Sequence, residues 1–233
     1  MYGKLSIVAT PIGNLKDITI RAADVLASCD KVACEDTRVT GKLLSALKIS
    51  KPFISLHEHS TQGKVIQVCD EIAAGAWIAY VSDAGTPGMN DPGGKLVSEA
   101  LDRQLTVEPI PGPSALTAAI SVCGFAMDEF RYLGFAPHKK GRQTFFADIA
   151  SVPTPSVFLE STHRINKTLD ALVQALDTRR PVFVGRELTK LHETLYRGTP
   201  SDIRDGVLRG VTKGEFVIIV GPAPKRQRTL TES

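Results

Sequence analysis

The stretch VSDAGTPGMNDPGG, residues 81–94, follows the apolar run WIAY and decides how the chain is read. A short apolar run that breaks into glycine, proline and aspartate marks the carboxyl end of a strand in an open α/β sheet. That edge is where such sheets bind ligands.

Outward from this point, apolar β-branched runs alternate with amphipathic stretches. LSIVAT, KVACED, PFISL, WIAYVSD and TVEPI read as strands, and AADVLASC, GKLLSALK, GKVIQVCDEIAAG and GKLVSEALD as helices. Five strands joined by helices predict a mostly parallel sheet by residue 110. PGPSA, residues 111–115, punctuates the chain, with Pro113 as the first residue of a helix SALTAAISVCG. Beyond it YLGFA, a helix near TFFADIA, the strand SVFLE, the helix RINKTLDALVQAL, PVFVGREL, HETLYRG and EFVIIVG predict a second, mixed sheet. The expected division is an α/β domain over residues 1–112, another over 113–222, and a frayed tail over 223–233.

Composition excludes several classes of function. With 42% hydrophobic and 23% charged residues the chain is an ordinary globular one, and a formal charge of +3 identifies no partner. Cys29, Cys34, Cys69 and Cys123 form no CxxC pair, which argues for reduced thiols in a cytoplasmic protein rather than a zinc knuckle or a disulfide framework. The N-terminal apolar run meets Pro11 and Gly13 too soon for a signal peptide, and no apolar stretch reaches the roughly 20 residues of a membrane span.

The 81–94 turn lacks GxxxxGK[ST], and Asp83 and Asp91 would repel a phosphate. A ligand joining a positive centre to a flat ring suits it better. Carboxylates tolerate the cation, and glycines let backbone groups approach the ring. S-adenosylmethionine has both features. A tight connection whose aspartates merely cap helices is the alternative that spacing leaves open.

Six blocks carry a resemblance: TPIGNLKDITIRA, CEDTRVT at 34–40, SDAGTPGMNDPG, PGPSA, ESTHRI at 160–165 and KGEFVIIVG at 213–221. Together, in this order from about residue 4 to 221, the chain resembles the tetrapyrrole methylase superfamily. The chain departs from that pattern at Met89, Asn90 and Thr162. The resemblance implies two α/β domains with S-adenosylmethionine in the cleft between them, in a cytoplasmic homodimer. In the branch it is most similar to, it implies 2′-O-methylation of a cytidine ribose in the decoding region of small-subunit (16S) ribosomal RNA, in the assembled 30S subunit. A small-molecule methyltransferase acting on a tetrapyrrole is the alternative, and an RNA-binding assembly factor without turnover is a third.

On that resemblance Pro11, Asp83, Ala84, Gly85, Pro87, Ser114, Ala115, Phe135 and Thr162 contact the cofactor, and a helix start at Ser114 receives its carboxylate. Position alone reads PIGN, residues 11–14, as a turn with Asn14 as a cap. Deprotonating a ribose hydroxyl calls for a base, and Glu58, Asp36 and Lys190 are the expected acceptor-site groups. Strand alternation through SLHEHS would set His57 and His59 on one face and Glu58 on the other. No third ligand at metal spacing supports a zinc site there. For RNA, Lys139, Lys140 and Arg142 in HKKGRQ, with Arg164, Arg186, Lys190 and the tail's KRQR at 225–228, are the candidate phosphate contacts. Trp77, Phe125 and Phe135 read as core residues rather than stacking platforms.

Overall fold

The computed structural model describes residues 3–89 and 91–224. Its chain forms two compact units, one running to Ala115 and the other starting at Leu116.

In the first unit the strands are β1 (Lys4–Val8), β2 (Lys31–Cys34), β3 (Phe53–Ser55), β4 (Trp77–Val81) and β5 (Thr106–Ile110). The helices are α1 (Ile20–Ser28), α2 (Thr37–Ala46), α3 (Gln62–Ala73) and α4 (Gly93–Asp102). The sheet order is β3-β2-β4-β1-β5 and every pairing is parallel. Successive strand residues face opposite ways. On one face Leu5, Ala33, Ile78 and Tyr80 pack under α3 and α4 through Val65, Val68, Ile72, Leu96 and Ala100. On the other, Val8, Val32, Cys34, Ala79 and Val81 pack under α1 and α2 through Ala22, Val25, Leu26 and Leu44. The chain therefore leaves β1 toward one face and the adjacent β4 toward the other. That reversal is the topological switch point of an open α/β sheet.

The second unit holds α5 (Ala115–Cys123), β6 (Arg131–Phe135), α6 (Arg142–Ser151), β7 (Ser156–Ser161), α7 (Ile165–Ala175), β8 (Val182–Arg186), β9 (Thr194–Gly198), α8 (Pro200–Arg209) and β10 (Glu215–Val220). Its sheet, β6-β7-β10-β8-β9, is mixed as expected: β6 and β7 pair in parallel and the rest antiparallel. Phe145, Phe146 and Phe158 meet edge to face in its core, with ring centroids 5.3, 5.4 and 6.2 Å apart. That geometry suits the quadrupoles of aromatic rings.

Several local expectations need correction. The helix after PGPSA begins at Ala115, so Pro113 lies two residues before it. His57, Glu58 and His59 are not on a strand. β3 ends at Ser55, and a turn closed by the Ser60 N–H to the His57 carbonyl (2.8 Å) carries them, so strand alternation does not apply. Phe135 is 53% exposed, because it ends the edge strand β6, and Phe125 is half-buried. Trp77 does pack against the α1/α2 face, half-buried, with its indole N–H donating to Ser6 Oγ at 2.7 Å. The start of the expected tail is tied down by Ala223 N–H to the Pro153 carbonyl at 2.9 Å. KRQR and Asn90 lie outside the described residues.

Candidate active site

The loops that leave β1, β4 and β5 meet at the carboxyl edge of the first sheet. Thr10 and Gly85 exchange backbone bonds in both directions, 2.9 and 3.0 Å, across the switch point. Gly85 has φ +79°, in the left-handed region, and a Cβ there would come within 3.3 Å of Ile12 Cγ2. Thr86 Oγ1 donates to the Pro113 carbonyl at 3.1 Å, bringing the 111–114 segment to the same place. Pro11, Gly85, Pro87 and Ser114 therefore share one backbone-rich floor, with Ala115 next in the chain. Asp83 and Ala84 stand exposed at its lip. Asn14 accepts from Lys16 N–H at 3.1 Å, so it caps a short 3-10 turn as the plain reading of PIGN expects.

The two aspartates of the loop do different work. Asp91 turns back on its own segment: one oxygen accepts the amides of Gly88 (2.7 Å) and Met89 (3.0 Å), the other that of Gly93 (2.8 Å) and the Tyr80 hydroxyl (3.4 Å). Burial, then the charge of Asp91, hold the Tyr80 phenol above its ordinary range. Asp83 instead reaches across to the start of α2, accepting the Asp36 N–H at 3.1 Å. Asp91 thus ties up its own loop, whereas Asp83 bonds the backbone that opens α2.

Carboxylates gather around Asp83. Glu35 at the end of β2 is half-buried, and burial, followed by Asp83, Asp91 and Glu58, raises its pKa. Asp36 caps α2, accepting Arg38 N–H at 2.8 Å, and pairs with the Arg38 guanidinium at 2.6 Å. Those bonds hold its pKa down to about 2. Glu58 is exposed on its turn. Glu35, Asp36, Glu58, Asp83 and Asp91 outnumber the Arg38 guanidinium in this cluster, which accordingly favours a cation over an anion.

Lys190, Thr162 and Phe135 lie on the second unit. Lys190 bonds Glu187 and Glu215, each at 2.9 Å; burial would lower its pKa, but the two carboxylates outweigh it and keep the ammonium charged. The Thr162 hydroxyl donates to the Gly214 carbonyl (2.7 Å) and accepts its N–H (2.6 Å), which stitches the end of β7 to the start of β10. Arg142 and Arg164, expected to grip phosphate, face inward onto buried Glu160, with Arg164 Nε 2.8 Å from a carboxylate oxygen. Arg186 is buried as well. The Glu160 network was not legible in the sequence, because Glu160 lies in β7 and its partners Arg142 and Arg164 at the starts of α6 and α7. Glu35 was passed over for its neighbour Asp36, because burial and not residue type separates them.

The free cysteines are all buried, and among the described residues no three His, Cys, Asp or Glu side chains are placed to share a metal ion. No helix of the described residues is long and apolar enough to cross a membrane.

A parallel sheet with a glycine-rich floor at its switch point, followed by a mixed α/β unit, is a two-unit α/β architecture of the kind that takes ligands at its strand ends. The chain belongs to the family of tetrapyrrole (corrin/porphyrin) methylases, whose model matches residues 4–204. Its relatives include the ribosomal RNA small subunit methyltransferase I of Mesorhizobium japonicum, 44% identical over 94% of this chain and 75% of that protein. The enzyme of the same name from Haemophilus influenzae is 43% identical over 97% and 81%. Among solved structures, the cobalamin biosynthetic enzyme cobalt precorrin-4 methyltransferase shares the fold with a TM-score of 0.68 at 19% identity, covering 94% of both chains. Uroporphyrin-III-C-methyltransferase from Thermus thermophilus does so with a TM-score of 0.65 at 18% identity, again over 94% of both.

Proposed function

We infer that this chain is an S-adenosylmethionine-dependent methyltransferase that methylates the 2′-hydroxyl of a cytidine ribose in small-subunit (16S) ribosomal RNA. The observation that carries the reading is the 40% and higher identity, over nearly the whole chain, to enzymes named for that RNA. The residues at the first unit's carboxyl edge fit the cofactor. They offer carboxylates that tolerate a sulfonium and a backbone floor open to a flat ring. When bound, the cofactor supplies an activated methyl group on sulfur.

The protein's share of the chemistry is to hold the acceptor in line and take its proton. In our reading Pro11, Asp83, Ala84, Gly85, Pro87, Ser114 and Ala115 hold the cofactor. Asp36 fixes the start of α2 and is a weak base, since Arg38 keeps it ionised. Lys190 is already protonated and cannot accept a proton. Glu58, with Glu35 beside it, is the group we assign to the acceptor hydroxyl. The Thr162 backbone remains a proposed cofactor contact from the second unit, and Phe135, expected beside it, is assigned to the RNA instead. We further propose that the enzyme works as a cytoplasmic homodimer on the assembled 30S subunit.

The test is methyl transfer from radiolabelled S-adenosylmethionine to unmodified 30S subunits and to naked 16S RNA. Label in an alkali-resistant dinucleotide supports ribose methylation. Bound cofactor without transfer to either RNA would count against the reading and favour a small-molecule acceptor.

A further inference from the structure

The carboxyl edge of the second sheet differs in charge from that of the first. β6, β7 and β8 all end there: Phe135 lies beside Leu159, Ser161 opposite Glu215, and Arg186 opposite Phe216. The loops that leave it carry exposed His138, Lys139 and Lys140 after β6, His163 after β7, His192 and Glu193 after β8, and Lys213 just before β10 with Glu215 at its start, where Glu215 is paired with Lys190.

Underneath, three arginines hold the backbone of these loops. Arg164 donates to the Ala136 carbonyl at 2.8 Å and Arg142 to that of Pro137 at 3.0 Å, while both face Glu160, which is 1% exposed. Arg186 donates to the carbonyls of Lys213 (2.7 Å) and His192 (2.8 Å). The inward guanidiniums thus fix the loops that carry the outward lysines. A solvated lysine run needs no such support.

Two further features mark this edge. Thr189, in the loop after β8, has φ +66°, a strained value for a β-branched residue, and its buried hydroxyl has no hydrogen-bond partner. Phe135 and Leu191 stand 53% and 93% exposed beside the cations. Lysines beside an exposed aromatic ring form the surface that takes single-stranded RNA, through phosphate pairing and base stacking.

We propose that this edge is the RNA grip of the protein, with Lys139, Lys140 and Lys213 on the phosphates, Phe135 against a base, and Arg142, Arg164 and Arg186 as positioning residues. It rests on the RNA reading above and assigns phosphate contacts to the second unit's edge. Preset loops lose less freedom on binding, so the lysines deliver more of their attraction as affinity.

The test is fluorescence anisotropy with a short labelled single-stranded RNA over a salt series. The triple variant Lys139→Ala/Lys140→Ala/Lys213→Ala is compared with Lys42→Ala/Arg179→Ala/Arg204→Ala, which removes three cations elsewhere. The first should weaken binding roughly tenfold and lower the salt slope by about 2, at about 0.7 per lost phosphate contact on a single strand. The second should change neither. Equal losses in both variants, or no loss in the first with its melting temperature and cofactor affinity intact, would overturn the grip. Methyl transfer by the unmodified enzyme is scored separately: lysine-dependent binding without transfer leaves the grip standing and sinks the enzymatic reading. With transfer, the first variant should raise KM for 30S subunits and spare kcat.

Discussion

Asp91→Asn tests whether the 82–92 loop is held by its own carboxylate. The substitution keeps the shape but places an NH2 group where one oxygen accepts the amides of Gly88 and Met89. Those two charge-assisted bonds are lost and two donors are left facing a donor, while the other oxygen can still serve Gly93. Hydrogen bonds to a charged group contribute about 1.5–3 kcal/mol each. Gly88 is exposed and Met89 half-buried, so water compensates in part, and the net cost is about 2–3 kcal/mol. At roughly 3 °C per kcal/mol the melting temperature should fall by about 6–9 °C. The loop's competent form also becomes rarer, which weakens the apparent affinity for S-adenosylmethionine by that fraction. Calorimetry should therefore show at least a threefold rise in Kd. A melting temperature within about 2 °C of the parent, with unchanged Kd, would refute the claim that Asp91 organises the loop.

Three more outcomes follow from the same geometry. Glu160→Gln leaves Arg142 and Arg164 facing a neutral group in a buried site, at a cost of about 3–5 kcal/mol, and denaturant unfolding should show it; a change below about 0.5 kcal/mol would contradict the network. Gly85→Ala places a methyl 3.3 Å from Ile12 at φ +79°, costing about 1–2 kcal/mol, and should weaken cofactor binding while leaving affinity for single-stranded RNA unchanged. The pKa of Glu35 is raised in the folded state, so its contribution to stability is lost as pH rises from the ordinary glutamate value through the folded one. Glu35→Gln should accordingly melt like the parent below about pH 4 and higher than the parent near pH ~7, and the opposite order would remove Glu35 from the carboxylate cluster.

The sequence by itself determined the order of strands and helices in the first unit, the mixed second sheet, and the place of the glycine-rich loop after β4. Each of these rests on local signals, hydrophobic period and turn residues, that act within a few positions of each other. It also placed Asp83, Gly85 and Ser114 at one edge, because in a parallel sheet all the strands of a βαβ series end on the same side. Tertiary structure alone decided which charges are available. Asp36 and Glu35 are neighbours in the chain, yet one is locked to Arg38 and the other is raised by burial among carboxylates brought from β3 and β4. Arg142 and Lys140 stand two residues apart in one basic run, yet the first turns inward toward Glu160 and the second outward to water. Such choices depend on desolvation and on partners distant in sequence, which no reading of composition or spacing contains.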